Sequence, residues 1–443
     1  MSAKHSMIVV AGGRAIDPAS GLDEPRDLLI EQGQIAAIDK PGAFAAKREA
    51  SVIDAKGCLV TPGLLDIHVH LREPGQEWKE TIATGCDAAV AGGFTSICCM
   101  PNTQPTVDKA TVVEFILHQA AKANGCRVFP IGAITVGREG HALSPMLELR
   151  DAGCVAFSDD GAPVFDAQIM RRALEYNRML GTVLTVHEEE LALSDGFSMN
   201  ESALSLKLGL KGMPDAAENV MIARDIELAR LTGGRVHFCH VSTARGVTLI
   251  RRAKEDGIPV TAETTPHNLT LDESAIGDYD THAKMSMPLR SRQDVEALIQ
   301  GLADGVIDCI ASDHAPHESD SKRREFEHAS FGILGLQTTL PLTLALVRAG
   351  KLTLSRAIEA LTSAPARCFH MQHAGLAKGA VADIAIIDPE GSLVLTPEHI
   401  LSKSKNTPFF GTTLQGLAKS VLVGGRVVYS AERGVLARSN DQF

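Results

Sequence analysis

The chain has 443 residues, of which 43 are Lys or Arg and 54 are Asp or Glu, so its formal net charge is −11. This acidic balance lacks the basic footprint of a nucleic-acid-binding protein, and 44% hydrophobic with 22% charged residues excludes the disordered and fibrous classes. No apolar run approaches the roughly 20 residues of a membrane-spanning helix, and the start lacks a full signal peptide. We therefore expect a cytoplasmic protein with no membrane or nucleic-acid partner.

The two ends of the chain have a similar sequence pattern. Short apolar runs separated by Gly, Pro and Asp fill residues 7–60, and residues 380–430 repeat this pattern with VADIAIID and SVLVGGRVVYS. Such runs are typical of short antiparallel strands. The strands at either end are too few to bury enough surface alone. We therefore predict a small discontinuous β-sandwich domain built from residues 1–60 and 376–443.

The middle of the chain, residues 61–375, alternates apolar β-like runs with stretches of helical period, which indicates repeated βα units and a parallel sheet. Eight such runs, the strand count of a (β/α)8 TIM-like barrel, are LLDIHVH (64–70), FTSICCM (94–100), CRVFPIGAIT (126–135), CVAFSDD (154–160), TVLTVHE (182–188), RVHFCHV (235–241), IPVTAET (258–264) and IDCIASD (307–313).

Amphipathic stretches follow these runs and commonly end at Gly, as helices do; examples are KATVVEFILHQAAKANG and DAQIMRRALEYNRMLG. A doubly wound sheet would alternate in the same way. It would usually carry a glycine-rich phosphate turn after its first strand, where this chain has HVHLR (68–72). The sequence therefore favours the barrel.

Metal-ligating residue types stand at the C-terminal ends of five of the eight predicted strands, where a barrel places its functional groups. They are His68, His70, Asp160, His187, His240 and Asp313. Two imidazoles in an HxH pair point to one side of a strand and can reach one ion. Six ligands are too many for one tetrahedral ion, so we predict two zinc ions about 3.5–4 Å apart, bridged by Asp160 and a hydroxide nucleophile. Asp313 could ligate alone or also exchange a proton with the substrate.

Three residues beside this cluster are candidates for substrate binding. Arg72 lies two residues beyond His70, and its guanidinium suits bidentate capture of a carboxylate. Asn102 after the second strand and His317 after the eighth could contact the same anion. Taken singly, surface or loop-capping roles explain these two residues equally well.

These motifs closely resemble class I dihydroorotases of the amidohydrolase superfamily, from about Ile8 to the C-terminus. The resemblance rests on DIHVHLREPGQEWKETIATG (66–85), FTSICCMPNTQP, AFSDDG, VHEEE, HVSTARG, ASDHAPH and FGILGLQT. It implies a binuclear zinc enzyme that uses the six ligands above, with Asp313 as acid and base and with Arg72, Asn102 and His317 on the substrate carboxylate. The implied reaction is the reversible cyclisation of N-carbamoyl-L-aspartate to L-dihydroorotate in pyrimidine biosynthesis.

Related families differ at the fourth strand. Hydantoinases, dihydropyrimidinases and class II dihydroorotases bridge their metals with a carboxylated lysine, whereas this chain has no Lys between Lys122 and Lys207. Asp160 is therefore the expected bridge, and Asp159 should point to the other side. Ser286-Met287 stands where the family usually has Asn-Pro, which puts the contact with the pyrimidine ring in doubt.

Alternative functions remain open at this point. One is a hydantoinase or allantoinase, and another is an inactive dihydroorotase-like partner of aspartate transcarbamoylase; such partners lack metal ligands, and this chain keeps all six. We expect a homodimer that acts on a small molecule and could associate with aspartate transcarbamoylase. The nine Cys form no CxxC pair and should be free buried thiols. Residues 314–332 are long enough for a lid.

Overall fold

Eight parallel strands form the central barrel in this computed structural model, which describes residues 7–372 and 375–436. The strands follow chain order around the sheet, and a parallel bridge from Val69 to His314 brings the last strand beside the first. All eight predicted runs form barrel strands, which confirms the (β/α)8 fold. Their bounds are β6 Leu64–Val69, β7 Phe94–Cys99, β8 Arg127–Gly132, β9 Ala156–Phe157, β10 Leu184–Val186, β13 Val236–Phe238, β14 Val260–Thr264 and β15 Cys309–Ile310.

Strands from both ends of the chain join in one nine-stranded sheet, as the sequence predicts. Strand β5 (Leu59–Pro62) from the N-terminal part pairs antiparallel with β16 (Ile384–Val394) from the C-terminal part, so neither part stands alone. The strands are β1 Ile8–Asp17, β2 Leu22–Glu31, β3 Gln34–Asp39, β4 Ser51–Asp54, β5 Leu59–Pro62, β16 Ile384–Val394, β17 Thr413–Val423, β18 Arg426–Ser430 and β19 Gly434–Val435. A separate short pair joins β11 Met199–Asn200 to β12 Gly212–Met213.

Helices follow the barrel strands and begin and end at the residues that their caps favour. Asp166 caps helix α4 (Ala167–Leu180) by accepting from two backbone N–H groups, and Gly181 ends it with a left-handed φ of 73°. The helices are α1 Ile82–Ala91, α2 Ala110–Ala123, α3 Met146–Ala152, α4 Ala167–Leu180, α5 Leu191–Ser194, α6 Ala203–Leu208, α7 Ala216–Thr232, α8 Ala244–Glu255, α9 Pro266–Thr270, α10 Arg292–Ala303, α11 Ser319–Lys322, α12 Thr339–Arg348, α13 Leu354–Leu361 and α14 Ser363–Cys368.

The main core fills the layer between the barrel strands and the helices. Phe94, Phe157 and Phe238 are fully buried there, one on each of three strands. Burying a side chain of this size stabilises the fold by about 1.5–3 kcal/mol. A smaller cluster joins side chains of the barrel strands to helix α14. The rigid strands therefore fix where their C-terminal ends project their side chains.

Two composition-based expectations can be compared with the structure. All nine Cys are free and buried, as predicted. Among the described residues, no helix is long and apolar enough to cross a membrane.

Candidate active site

Four imidazoles surround the Asp160 carboxylate at the C-terminal end of the barrel. The Nε2 atoms of His68 and His70 and the Nδ1 of His187 each lie 3.5 Å from one of its oxygens, and the Nε2 of His240 lies at 3.4 Å. These residues come from four different strands or strand ends and are all buried. The structure thus brings four of the predicted ligands around a fifth, Asp160.

These spacings fit a metal site better than a network of hydrogen bonds. Two ligand atoms bound to one tetrahedral zinc at about 2.1 Å are separated by about 3.4 Å, which is longer than a normal hydrogen bond. The Nε2 of His68 is buried without a hydrogen-bond partner although it faces Asp160 and Asp313. A buried imidazole nitrogen that has no hydrogen-bond partner and lies beside carboxylates can bind a divalent cation. This set of imidazole and carboxylate ligands therefore fits metal ions.

Asp313 completes the cluster opposite Asp160. Its Oδ1 lies 3.0 Å from the Nε2 of His70 and 3.5 Å from that of His68. Both Asp313 and His240 hold left-handed backbone conformations, with φ of 43° and 34°. Non-glycine residues adopt this region at a cost that surrounding structure must offset, and such strain concentrates at functional sites.

Opposite charges within the cluster shift the pKa values of its members. Burial alone would raise the pKa of Asp313, but the imidazoles of His68 and His70 outweigh it and hold this pKa below its ordinary value. Burial likewise lowers the pKa of His68, and the carboxylates of Asp160, Asp313 and Glu263 reverse that effect and raise it. The carboxylates are therefore ionised and available as ligands or proton acceptors.

Three of the four ligand imidazoles also have a partner for their other ring nitrogen. The Nδ1 of His68 lies 2.6 Å from Glu263, that of His70 lies 2.9 Å from the Asn102 side-chain oxygen, and the Nε2 of His187 lies 2.8 Å from Glu189. Such partners fix the tautomer and orientation of a metal-binding imidazole.

Glu263 was missed by the sequence analysis. This fully buried carboxylate also lies 3.1 Å from the Nε2 of His237, whose Nδ1 lies 2.8 Å from the Thr261 hydroxyl. The signal was available, because Thr261 and Glu263 are polar residues two apart inside an otherwise buried strand and so share one face.

Asp159 is turned away from the cluster, as its place on the strand suggested. Its carboxylate accepts hydrogen bonds from the backbone N–H groups of Ile134 and Thr135 and from the Thr135 hydroxyl. This residue therefore ties the end of β9 to the end of β8.

A cavity of about 400 Å³ opens over the cluster and holds the predicted substrate-binding residues; we call it the active-site cavity. Its lining includes Arg72, Asn102 and His317 together with Ser286 and Phe331. Arg72 is buried, has a φ of 61°, and donates through Nε to the Pro316 carbonyl at 3.2 Å. Its Nη2 lies 3.3 Å from the Nε2 of His317. Burial lowers the pKa of Arg72 to about 10, so an anion that enters the cavity would meet a poorly solvated cation.

The loop after the eighth strand, residues 314–332, packs against the loop after the seventh. The Lys322 ammonium donates to the carbonyls of Thr281 and Ser330, and the Lys284 ammonium donates to that of Phe326. The Asn406 amide donates to the Ala315 carbonyl. The loop is thus anchored at several points, and its motion as a lid stays a prediction.

Comparisons with known proteins agree with this geometry. Residues 57–245 match the dihydro-orotase-like family. A dihydroorotase of Anaeromyxobacter dehalogenans is 51% identical over 96% of this chain and 98% of its own, and one of Pelobacter propionicus is 49% identical over 95% and 99%. Among solved structures, an L-hydantoinase (dihydropyrimidinase) from Arthrobacter aurescens superposes with a TM-score of 0.87 at 25% identity, over 98% of both chains. A D-hydantoinase from a Bacillus species has a TM-score of 0.81 at 26% identity, over 97% of this chain and 96% of its own.

The barrel, its strand-end cluster and these relatives define the class as the metal-dependent cyclic amidohydrolases, and the chain is an enzyme of that class. The relatives at about 50% identity narrow this further, because they match nearly the whole chain. The chain belongs to the dihydroorotase family.

Proposed function

We propose that the enzyme interconverts N-carbamoyl-L-aspartate and L-dihydroorotate in pyrimidine biosynthesis, as a class I dihydroorotase. The observation that carries this proposal is the buried cluster around Asp160 with the Arg72 cation beside it in one cavity. Class I is supported by a carboxylate, rather than a lysine, at the centre of the cluster. Its substrate is a small anionic molecule, which suits an uncompensated guanidinium.

Two zinc ions are the proposed cofactor. One would be held by His68, His70 and Asp313, and the other by His187 and His240, with Asp160 shared between them. Zinc accepts this mixture of imidazole and carboxylate donors. When bound, the ions supply Lewis acidity at the scissile amide carbonyl and a water of lowered pKa.

Asp313 is the proposed acid and base. In ring opening its carboxylate accepts a proton from the attacking water and then delivers that proton to the departing amide nitrogen, so that the C–N bond breaks without an anionic leaving group. Ring closure runs these proton transfers in reverse. The neighbouring imidazoles hold the pKa of Asp313 below its ordinary value, so the group is ionised before the reaction.

Arg72, Asn102 and His317 are the proposed contacts of the substrate carboxylate. Arg72 offers a bidentate fork, and its neighbour His317 has a buried Nδ1 with no hydrogen-bond partner. The Asn102 side-chain oxygen faces His70, which leaves the amide N–H groups to donate to an anion. Ser286 lines the same cavity and could replace the ring contact of an asparagine with that of a hydroxyl.

The organisation beyond the site is also proposed. We infer a barrel domain over residues 61–375 and a β-sandwich domain from residues 1–60 and 376–443. We further propose a cytoplasmic homodimer, which could associate with aspartate transcarbamoylase.

A substrate panel tests the proposed function. The zinc-loaded chain is given dihydroorotate, hydantoin, dihydrouracil and allantoin, and loss of ring absorbance is followed. We expect dihydroorotate to be preferred, and Asp313→Ala to abolish its turnover. Preference for hydantoin would instead identify a hydantoinase, which the solved neighbours make the first alternative. A chain that binds less than one zinc and turns over nothing would identify an inactive partner.

A further inference from the structure

A second cavity, of about 410 Å³, includes His317 in its wall and is lined by more cationic than anionic side chains. We call it the cationic cavity. It has four cationic residues, Lys322, Arg323, Lys403 and Lys405, and Glu318 is the carboxylate among its lining residues. This excess of positive charge stands out on a chain whose net charge is −11. A concave cationic surface raises the local concentration of anions.

The lysine ammonium groups of this cavity have backbone carbonyls as their hydrogen-bond acceptors. The ammonium groups of Lys322, Lys403 and Lys405 donate to backbone carbonyls, at 2.7 Å to Thr281 and at 2.5 Å to Glu77 and Ile400. A carbonyl accepts a hydrogen bond but carries no net charge, so it does not cancel the positive charge of Lys403 or Lys405. Burial lowers the pKa of Lys322 to about 7, so Lys322 contributes only part of a charge at neutral pH. Arg323, Lys403 and Lys405 are exposed and can meet a solute directly.

The cationic cavity and the active-site cavity share one wall residue, His317. On the inner side, its Nε2 lies 3.3 Å from the Nη2 of Arg72. Burial, and after it the positive charges of Arg72 and Lys79, hold the pKa of His317 far below its ordinary value, so this wall residue is neutral. Cationic side chains thus line both of the cavities that share His317.

We propose that the cationic cavity, with Trp78, Arg323 and Lys403 on its lining, is an anion-binding vestibule that collects the dicarboxylate substrate next to the active-site cavity. This inference rests on the proposed function, because N-carbamoyl-L-aspartate carries two carboxylates and dihydroorotate carries one. The vestibule should therefore favour capture of the open-chain dianion over capture of the ring. Trp78, which is 57% exposed at the cavity, offers an apolar face for the carbon chain.

Kinetics in both directions test the vestibule. The double variant Arg323→Gln/Lys403→Gln loses two positive charges. In water, each unit charge about 10 Å away changes the rate of capture about fourfold for a dianion and about twofold for a monoanion. We expect kcat/KM to fall more than tenfold for N-carbamoyl-L-aspartate and about fourfold for dihydroorotate at low salt, with kcat within twofold. At about 1 M salt these differences should vanish. Lys40→Gln/Arg48→Gln removes the same charge from exposed positions of the connection between β3 and β4 and should leave both values within twofold.

Direct binding is read from fluorescence, because Trp78 is the single Trp of the chain. Titration of the zinc-loaded enzyme with succinate, an unreactive dicarboxylate, should give a saturable signal that persists in Arg72→Met and is lost in the Arg323→Gln/Lys403→Gln variant. Two outcomes would overturn the vestibule: an unchanged kcat/KM in the Arg323→Gln/Lys403→Gln variant, or a fluorescence signal that never saturates. Normal turnover of dihydroorotate would in either case uphold the proposed function. If the chain turns over no dihydroorotate, the proposed function fails, and the succinate titration still tests the cavity.

Discussion

Arg72→Met should make the protein more stable and less able to bind its substrate. The Arg72 guanidinium is buried, and its hydrogen-bond partners are the Pro316 carbonyl and the neutral His317 ring rather than a carboxylate. Burial lowers its pKa from the ordinary value of an arginine to about 10. A lowering of this size means that the folded environment destabilises the charged form of Arg72, relative to its neutral form, by about 3 kcal/mol. A methionine of similar length removes the charge and keeps the apolar stem packed.

We expect Arg72→Met to raise the free energy of unfolding by about 1–3 kcal/mol. Removing the buried charge stabilises the protein, but loss of the guanidinium hydrogen bonds offsets part of this gain. Truncating a buried group that pairs with a ligand carboxylate typically costs 2–5 kcal/mol, so affinity for dihydroorotate should fall by at least about 30-fold. Chemical denaturation of the ligand-free protein measures the first effect, and steady-state kinetics measure the second. Zinc content should not change.

Arg290 offers a matched control. This arginine is equally buried but paired, because its guanidinium contacts Glu218, the Ser242 hydroxyl and the Asn200 side-chain oxygen. Removing one partner of a buried ion pair is strongly destabilising, so Arg290→Met should lose about 3–5 kcal/mol. If Arg72→Met were also destabilised, or if it kept its affinity for dihydroorotate, the reasoning about an uncompensated cation would be refuted.

Three further substitutions test other parts of the site. Glu263→Gln should weaken zinc binding about 10- to 100-fold, because Glu263 orients His68; retention of zinc against a chelator measures this, and unchanged retention would contradict it. Lys322→Met should speed amide hydrogen exchange in residues 314–332, since three carbonyls lose their donor, whereas equal exchange rates would show that the anchor is dispensable. Glu80→Gln should cost about 2–4 kcal/mol of unfolding free energy at neutral pH, because the Glu80 carboxylate accepts from buried groups including Ser402. Burial would raise the pKa of Glu80, but its partners lower it, so its contribution is present above about pH 4.5 and should disappear as the pH falls below that value; a gap between wild type and variant that persists in acid would contradict this.

The fold and the candidate ligands were predictable because both leave local signals. Parallel barrel strands are buried on both faces and appear as continuous apolar runs, and a ligand such as His187 or Asp313 simply follows its run. Barrel geometry then gathers the strand ends at one rim, without any knowledge of which side chains touch.

The supporting contacts left weaker signals, which do not identify the partner of each residue. Glu263 meets His68 across 195 residues of sequence, and nothing local indicates which imidazole it faces. The anchoring of the loop over residues 314–332 depends on Lys322 reaching backbone carbonyls, which every residue carries. The cationic cavity likewise arises only where the loop meets the segment around Lys403. Such features depend on long-range packing rather than on periodicity.

Zinc titration of the metal-free chain, with turnover of dihydroorotate followed at each step, tests the central claim most directly. The cluster around Asp160 should bind about two zinc ions per chain, and activity should appear only as they bind. In Asp160→Asn the shared ligand is weakened, so both stoichiometry and activity should fall together. Full turnover of dihydroorotate without metal, or two tightly bound ions with no turnover of it, would contradict the claim that this cluster is a zinc centre acting on dihydroorotate.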